Sequence, residues 1–216
     1  MKGAAPDGTD FAVQKAFYAG QHITGGAISE SHQQNLAGVD AVICGPGLGD
    51  SESTRAAVRA LLDGYDGRAV VDADALRVVP EVDTNATLVC TPHQGELVGM
   101  GGPSADNREQ LADDVAEFAA ELGHTLLVKG AHDIISDGET TQRNRTGNPG
   151  MTVGGTGDVL AGVVGALLAT EGPQAAAAVG AYVTGRAGDL AADAVGDSLV
   201  ATDLLDQLPE AFATDE

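Results

Sequence analysis

The feature that most constrains the fold is an alternation of short, strongly apolar segments with longer amphipathic ones, running from Val39 onward. Val39–Gly45, Ala69–Asp72, Ala86–Cys90 and Thr125–Lys129 each read as a strand, rich in Val, Leu and Ile and apolar on both faces. Between them, 53–62 reads as a helix with Val58, Leu61 and Leu62 on one face. A short helix carries Leu76 and Val79, and a longer one over 105–122 carries Leu111, Val115, Phe118 and Leu122. Strands apolar on both faces must be covered on both, so this pattern predicts a parallel sheet between helices. Sheets of that kind bind ligands at the carboxyl ends of their strands. Farther along, 133–136 and 139–143 read as a hairpin around Asp137-Gly138. The stretches 157–170 and 173–194 read as closely packed helices rich in Ala, Gly and Val, and 201–212 as a last helix capped by Thr202. Residues 1–37 are polar, Gly-rich and weakly periodic, with at most a short helix around Phe11 to Phe17. The chain therefore divides into a poorly defined segment, 1–37, and an α/β domain, 38–216.

Charge narrows the partners. Eleven basic against 32 acidic residues give a net charge of −21, which repels nucleic acid and anionic membrane surfaces. The carboxylates are spread along the chain, and the lysines are Lys2, Lys15 and Lys129. Two readings fit: a halophile, whose proteins stay soluble by carrying hydrated carboxylates, or an ordinary acidic cytosolic protein. No apolar run reaches the roughly 18 residues of a membrane helix. The opening Met1-Lys2-Gly3-Ala4-Ala5-Pro6 has no secretory h-region, so the expected location is the cytoplasm. Cys44 and Cys90 each lie in an apolar strand without metal-ligand spacing, and are expected to be buried, inert thiols.

The motifs that could carry chemistry each follow a strand or open a helix. The longest runs from Gly147 to Gly162, GNPGMTVGGTGDVLAG. Its glycines let main-chain N–H groups converge, and the helix start adds partial positive charge, which together make an anion hole for phosphate. Asp158, in the first turn, could take the proton of an attacking hydroxyl or merely cap the helix. Lys129, at the head of Val128-Lys129-Gly130-Ala131-His132-Asp133, could meet a nucleotide phosphate or be a solvated strand-end charge. In Thr91-Pro92-His93-Gln94-Gly95-Glu96, His93 offers a polar substrate a donor and an acceptor, and Glu96 could orient His93 or help hold a metal. A plain helix start with a capping-box Glu explains the same residues. Gly45-Pro46-Gly47-Leu48-Gly49 permits close approach to a ligand or makes a simple turn. Asp72 and Asp74 could bind Mg²⁺ or ribose hydroxyls, or cap the next helix. There is no zinc-ligand spacing, nucleophile elbow or Walker A sequence.

Taken in order, GPGLG, DADAL, TPHQGE, VKGAHD and GNPGMTVGGTGDVLAG resemble the NAD(P)H-hydrate dehydratase family, over about residues 38–208. The resemblance implies a ribokinase-like three-layer sandwich: a mostly parallel sheet with helices on both faces. It implies nucleotide-dependent dehydration of the S epimer of hydrated NADH or NADPH, by phosphorylation of the ring hydroxyl and loss of phosphate. Asp158 would be the base and Gly155, Thr156 and Gly157 the anion hole. Lys129, Gly130, Ala131, His132, Asp133 and Gly157 would contact the nucleotide, and Gly47, His93 and Asp158 the substrate, with Asp74 beside them. The cofactors would be ADP, or ATP, with Mg²⁺, and the assembly a homo-oligomer such as a tetramer. Arg77 stands where the family usually has Asn, and Gln94 where it usually has Pro. The family's longer N-terminal region, with a Gly-rich first strand and an Ala-rich helix, has no counterpart in residues 1–37, which then read as its remnant, with one or more N-terminal strands missing. The rival readings are a ribokinase-like small-molecule kinase for a vitamin precursor or sugar, and a truncated inactive nucleotide-binding relic.

Overall fold

The computed structural model describes residues 16–18, 36, 38–104 and 110–213. Seven strands form one sheet: β1 (Ala16–Tyr18), β2 (Ala41–Cys44), β3 (Arg68–Val71), β4 (Thr87–Cys90), β5 (Thr125–Val128), β6 (Asp133–Ser136) and β7 (Thr141–Asn144). They lie side by side in sequence order; β1 to β5 run parallel, and β6 and β7 add an antiparallel hairpin. The helices are α1 (Glu52–Gly64), α2 (Gln94–Gly99), α3 (Leu111–Leu122), α4 (Thr156–Leu168), α5 (Pro173–Val195) and α6 (Ala201–Phe212), with a 3-10 segment over Ala73–Glu81.

Sequential order explains the layering. When parallel strands advance one place at a time, right-handed crossovers put every connecting helix on the same face. On that face Val42, Cys44, Val71, Leu88, Cys90 and Leu126 meet Val58 and Leu62 of α1, Leu76 of the 3-10 segment, Leu97 of α2 and Val115 of α3. The alternate strand residues, Ile43, Val70, Val89, Leu127 and Ile135, point the other way. That face is covered by the helices that follow the hairpin, through Leu160, Val164 and Leu168 of α4 and Ala177 and Ala181 of α5. Leu204 and Ala211 of α6 pack in turn against Val183 and Ala187 of α5. The three-layer sandwich and the mostly parallel sheet are as expected.

Several boundaries differ for local reasons. The helix anticipated around 11–17 does not extend into its described part: Ala16–Tyr18 is a strand, paired with β2 so that Ala16 faces Ala41 and Tyr18 faces Ile43. The edge of β2 offers main-chain partners, and Phe and Tyr favour strands. The rest of 1–37, with Gly25-Gly26-Ala27, His22 and His32, lies outside the described residues apart from Leu36 itself. So do 105–109; α3 begins at Leu111. β7 starts at Thr141 because the Asp137 carboxylate accepts the N–H groups of Glu139 and Thr140 and draws them into the turn. Thr202 is not the cap of α6: Val200 is, and the Asp203 carboxylate accepts its N–H at 2.8 Å. Cys44 and Cys90 are free and buried, and burial pushes both thiols up to about 12, well away from thiolate chemistry. Among the described residues no helix is long and apolar enough to cross a membrane.

Candidate active site

The carboxyl ends of β2 to β5 converge on the start of α4. At the end of β2, Gly45 has φ +134°, and a Cβ there would overlap the Asp72 carbonyl. Only glycine lets the β2 and β3 exits run so close together. Asp72, 3% exposed, accepts hydrogen bonds through Oδ1 from Thr91 Oγ1 and from Lys129 Nζ, both at 2.8 Å. Lys129 Nζ also lies 3.6 Å from Glu96 Oε2. This ammonium sits beneath α4: a Cβ on Gly157 would be 3.7 Å from it and 3.9 Å from Asp72 Oδ2. Desolvation makes such a pair a poor source of stability, and it lies at the carboxyl end of the sheet.

The long Gly-rich turn is held from the opposite side. Asn148 Oδ1 accepts from Gly150 N–H at 3.0 Å, and Asn148 Nδ2 donates to Asp189 Oδ1 at 3.1 Å. Asp189 Oδ2 accepts the Gly147 N–H at 2.9 Å. Thr156 Oγ1 lies 2.9 Å from the carbonyls of Met151 and Val153. Gly155, with φ +96°, is the N-cap of α4, and no side chain caps the first-turn amides. A helix cannot satisfy those amides itself, so they are left as donors of the kind an anion can accept. Asp158 follows directly; its carboxylate is exposed and has no hydrogen-bond partner among the described residues.

A cleft of about 740 Å³ opens beside this turn. It brings together His93, Lys129, Gly130, Ala131, Asp133, Thr156 and Gly157 of the expected site. Gly155 and Asp158 belong to the same turn but do not line the cleft, and His132 is exposed outside it. Gly47, with φ +72°, and Asp74 also lie outside the cleft, the one in the loop after β2 and the other in the first turn of the 3-10 segment; the Gly49 N–H joins the two by donating to Asp74 Oδ2 at 2.9 Å.

His93 takes part in the helix start with a capping-box Glu that the sequence also allowed. It is the N-cap of α2, where Nδ1 accepts from the N–H groups of Gly95 and Glu96, and Glu96 Oε2 accepts the His93 N–H. With Nδ1 spent as acceptor, the other ring nitrogen, Nε2, lies 3.5 Å from Glu96 Oε1 and faces that carboxylate before any ligand. Asp133 folds its own loop, accepting from Gly130 N–H at 3.1 Å and Asn144 Nδ2 at 2.9 Å, while burial pushes its carboxyl above the ordinary range. Sequence reading missed Asp189 and Thr184, on α5 but close to the turn and the cleft. Their one signal was polarity inside a helix rich in Ala, Gly and Val, a signal they share with Gln174, Arg186 and Asp193.

The family model of NAD(P)H-hydrate dehydratase matches residues 12–210, reaching farther toward the amino end than the motifs alone suggested. A Pyrobaculum aerophilum protein named bifunctional NAD(P)H-hydrate repair enzyme is 42% identical, over 94% of this chain and 44% of its own length. An ADP-dependent (S)-NAD(P)H-hydrate dehydratase from Cenarchaeum symbiosum is 40% identical, over 88% of this chain and 68% of its own. The chain thus spans under half the length of the bifunctional relatives, 36% in the case of the Methanopyrus kandleri protein. Among solved structures, the ADP/ATP-dependent NAD(P)H-hydrate dehydratase of Bacillus subtilis, co-crystallized with ATP/Mg²⁺, superimposes with a TM-score of 0.73 at 31% identity. That likeness covers 81% of this chain and 64% of the other. With the family model matching residues 12–210, the whole described sheet included, the chain belongs to the NAD(P)H-hydrate dehydratase family.

Proposed function

We propose that this chain dehydrates the S epimer of hydrated NADH or NADPH, using ADP, or ATP in its place, as phosphoryl donor. The observation that carries the reading is the anion turn Gly155-Thr156-Gly157 with the Lys129 ammonium beneath it and Asp158 next to it. Phosphoryl transfer asks little of a protein beyond positioning and charge stabilisation, and this turn supplies both. The nucleotide would lie in the cleft, its phosphates toward Lys129, Gly130 and Gly157 and its remainder toward Ala131, His132 and Asp133. The hydrated cofactor would approach along the rim formed by Gly47 and Asp74, with His93 beside it.

In this reading Asp158 accepts the proton of the ring hydroxyl as its oxygen attacks the terminal phosphorus of ADP. The bridging oxygen departs with AMP, and the first-turn amides hold the charge that develops on the phosphoryl oxygens. The ring C–O bond then breaks, inorganic phosphate leaves, a ring proton is lost, and the double bond returns. Among the described residues no three His, Cys, Asp or Glu side chains form a metal cluster. A nucleotide-bound Mg²⁺ needs only one or two protein carboxylates, and Asp72 and Glu96, both beside Lys129, fit that need. When bound, the ion would neutralise phosphate charge.

The net charge of −21 supports a protein that avoids nucleic acid and membrane surfaces, and a halophilic cytoplasm as its setting. Val179 and Tyr182, one turn apart on α5 and 44% and 47% exposed, support a homo-oligomer such as a tetramer. The test is a coupled assay: hydrated NADH with ADP and Mg²⁺ is expected to give AMP, phosphate and the absorbance of reduced nicotinamide in equal amounts. Stable phosphorylation of an added alcohol without any return of NADH would replace this reading with a kinase.

A further inference from the structure

We infer that Thr184 is the residue through which the cleft recognises the base of the nucleotide; this rests on the nucleotide reading above. Thr184 lies on α5, is 2% exposed and lines the cleft, yet its Oγ1 has no hydrogen-bond partner. A buried hydroxyl left unpaired costs about 1–3 kcal/mol, so its persistence at a ligand wall calls for a ligand. The other partly buried polar side chains along the cleft are already engaged. Lys129 pairs with Asp72, and Asp133 takes Gly130 and Asn144. Thr146 Oγ1 lies 2.9 Å from both Asn144 Oδ1 and the Tyr182 carbonyl, and Asn148 is bound to Asp189 and Gly150. Of the other atoms left unpaired, neither Arg55 Nε nor Gln174 Oε1 belongs to a cleft residue, and Arg55 Nε lies 2.9 Å from Asp50.

The surroundings fit a flat ring. Ala181 and Gly185 flank Thr184 on the same helix and also line the cleft; the wall is low on the Ala181 side, while Thr146 packs directly onto Gly185, where a Cβ would overlap its hydroxyl. Lys129 and Gly157, the groups suited to phosphate, stand at the strand ends, whereas this wall carries no charge. A hydroxyl can donate or accept, and so can meet either kind of atom on a base edge.

The experiment measures binding of ADP, 2′-deoxyADP and pyrophosphate to the wild-type chain, T184V and T184S. Valine keeps the shape and β-branching of threonine and removes only the oxygen. T184V is expected to weaken ADP and 2′-deoxyADP alike, by roughly 3- to 10-fold. It should leave pyrophosphate unchanged, and T184S should bind ADP within about twofold of wild type, as one retained hydrogen bond predicts. Without ligand, T184V is expected to melt no lower than wild type, because it removes an unpaired buried hydroxyl. A purely structural hydroxyl would lower that melting temperature. Wild-type affinity for ADP in T184V overturns the inference alone. A loss confined to ADP and absent with 2′-deoxyADP overturns the base assignment in favour of the sugar. If wild-type chain binds pyrophosphate but not ADP, the nucleotide reading and this inference fall together.

Discussion

Asp158 is the residue on which the proposed chemistry turns, and its surroundings make a sharp prediction. Its carboxylate caps nothing and pairs with nothing among the described residues, although it stands in the first turn of a helix where a capping role would be ordinary. Asp158→Asn keeps the shape and removes the base. Turnover of hydrated NADH is expected to fall by roughly 100-fold or more, the usual worth of a positioned proton acceptor. ADP affinity, read by titration, should stay within a few-fold of wild type; near-full turnover would remove Asp158 as the base. At this scale the sequence revealed which residues matter better than what they do. Lys129 was legible as a strand-end cation in a chain almost without lysine. That a buried Asp72 and Glu96 hold it was not, because the partners are 57 and 33 residues away and meet only through sheet register. His93 was legible as a polar site residue, but its acceptor nitrogen is spent on a helix cap that no spacing rule distinguishes from a free imidazole.

At the scale of elements, the glycines sort into two kinds that sequence alone does not separate. Gly45 sits at φ +134° with the Asp72 carbonyl where a Cβ would go. Gly45→Ala is expected to destabilise by about 2 kcal/mol or more, through both the clash and the disfavoured dihedral, and to displace Asp72 from Lys129. Gly162, inside α4, has open space where a methyl group would stand, with nothing within 4 Å of that point. Gly162→Ala is expected to stabilise by about 0.5–1 kcal/mol, the ordinary preference of a helix interior. Chemical denaturation of both variants checks the pair; equal effects would mean that local strain at the β2 exit does not matter. The strands and helices from β2 to α6 were legible because apolar periodicity there is strong and the turns carry Gly or Pro. What failed failed at ends: the start of β7, set by the Asp137 turn, and the cap of α6, set by Asp203 rather than Thr202. β1 was misread because three residues carry too little periodicity to tell a strand from a helix turn, and the pairing that decides it comes from β2.

The whole molecule carries a charge no local pairing can remove. Its 11 basic residues can neutralise at most 11 of 32 carboxylates, leaving 21 uncompensated. Among the described residues, Arg55, Arg59 and Arg77 pair with acids around α1 and the 3-10 segment, and Lys129 pairs with Asp72. The remaining carboxylates repel one another across the surface of a compact body, and unfolding relieves that repulsion by moving them apart. Salt acts on this directly, because the screening length falls from about 10 Å at 0.1 M to about 3 Å at 1 M. The melting temperature is therefore expected to climb steeply with KCl up to roughly 1 M, where screening becomes shorter than the spacing between surface charges. A continued rise beyond that point would come from exclusion of salt from the protein surface, which tightens apolar burial and grows with concentration. A thermal melt series in KCl, repeated in equimolar sorbitol, separates the two: screening responds to salt alone, exclusion to both. A melting temperature unchanged between 0.1 and 1 M KCl, in units where about 1 kcal/mol moves it by a few degrees, would mean that the acidic surface is not what limits this fold.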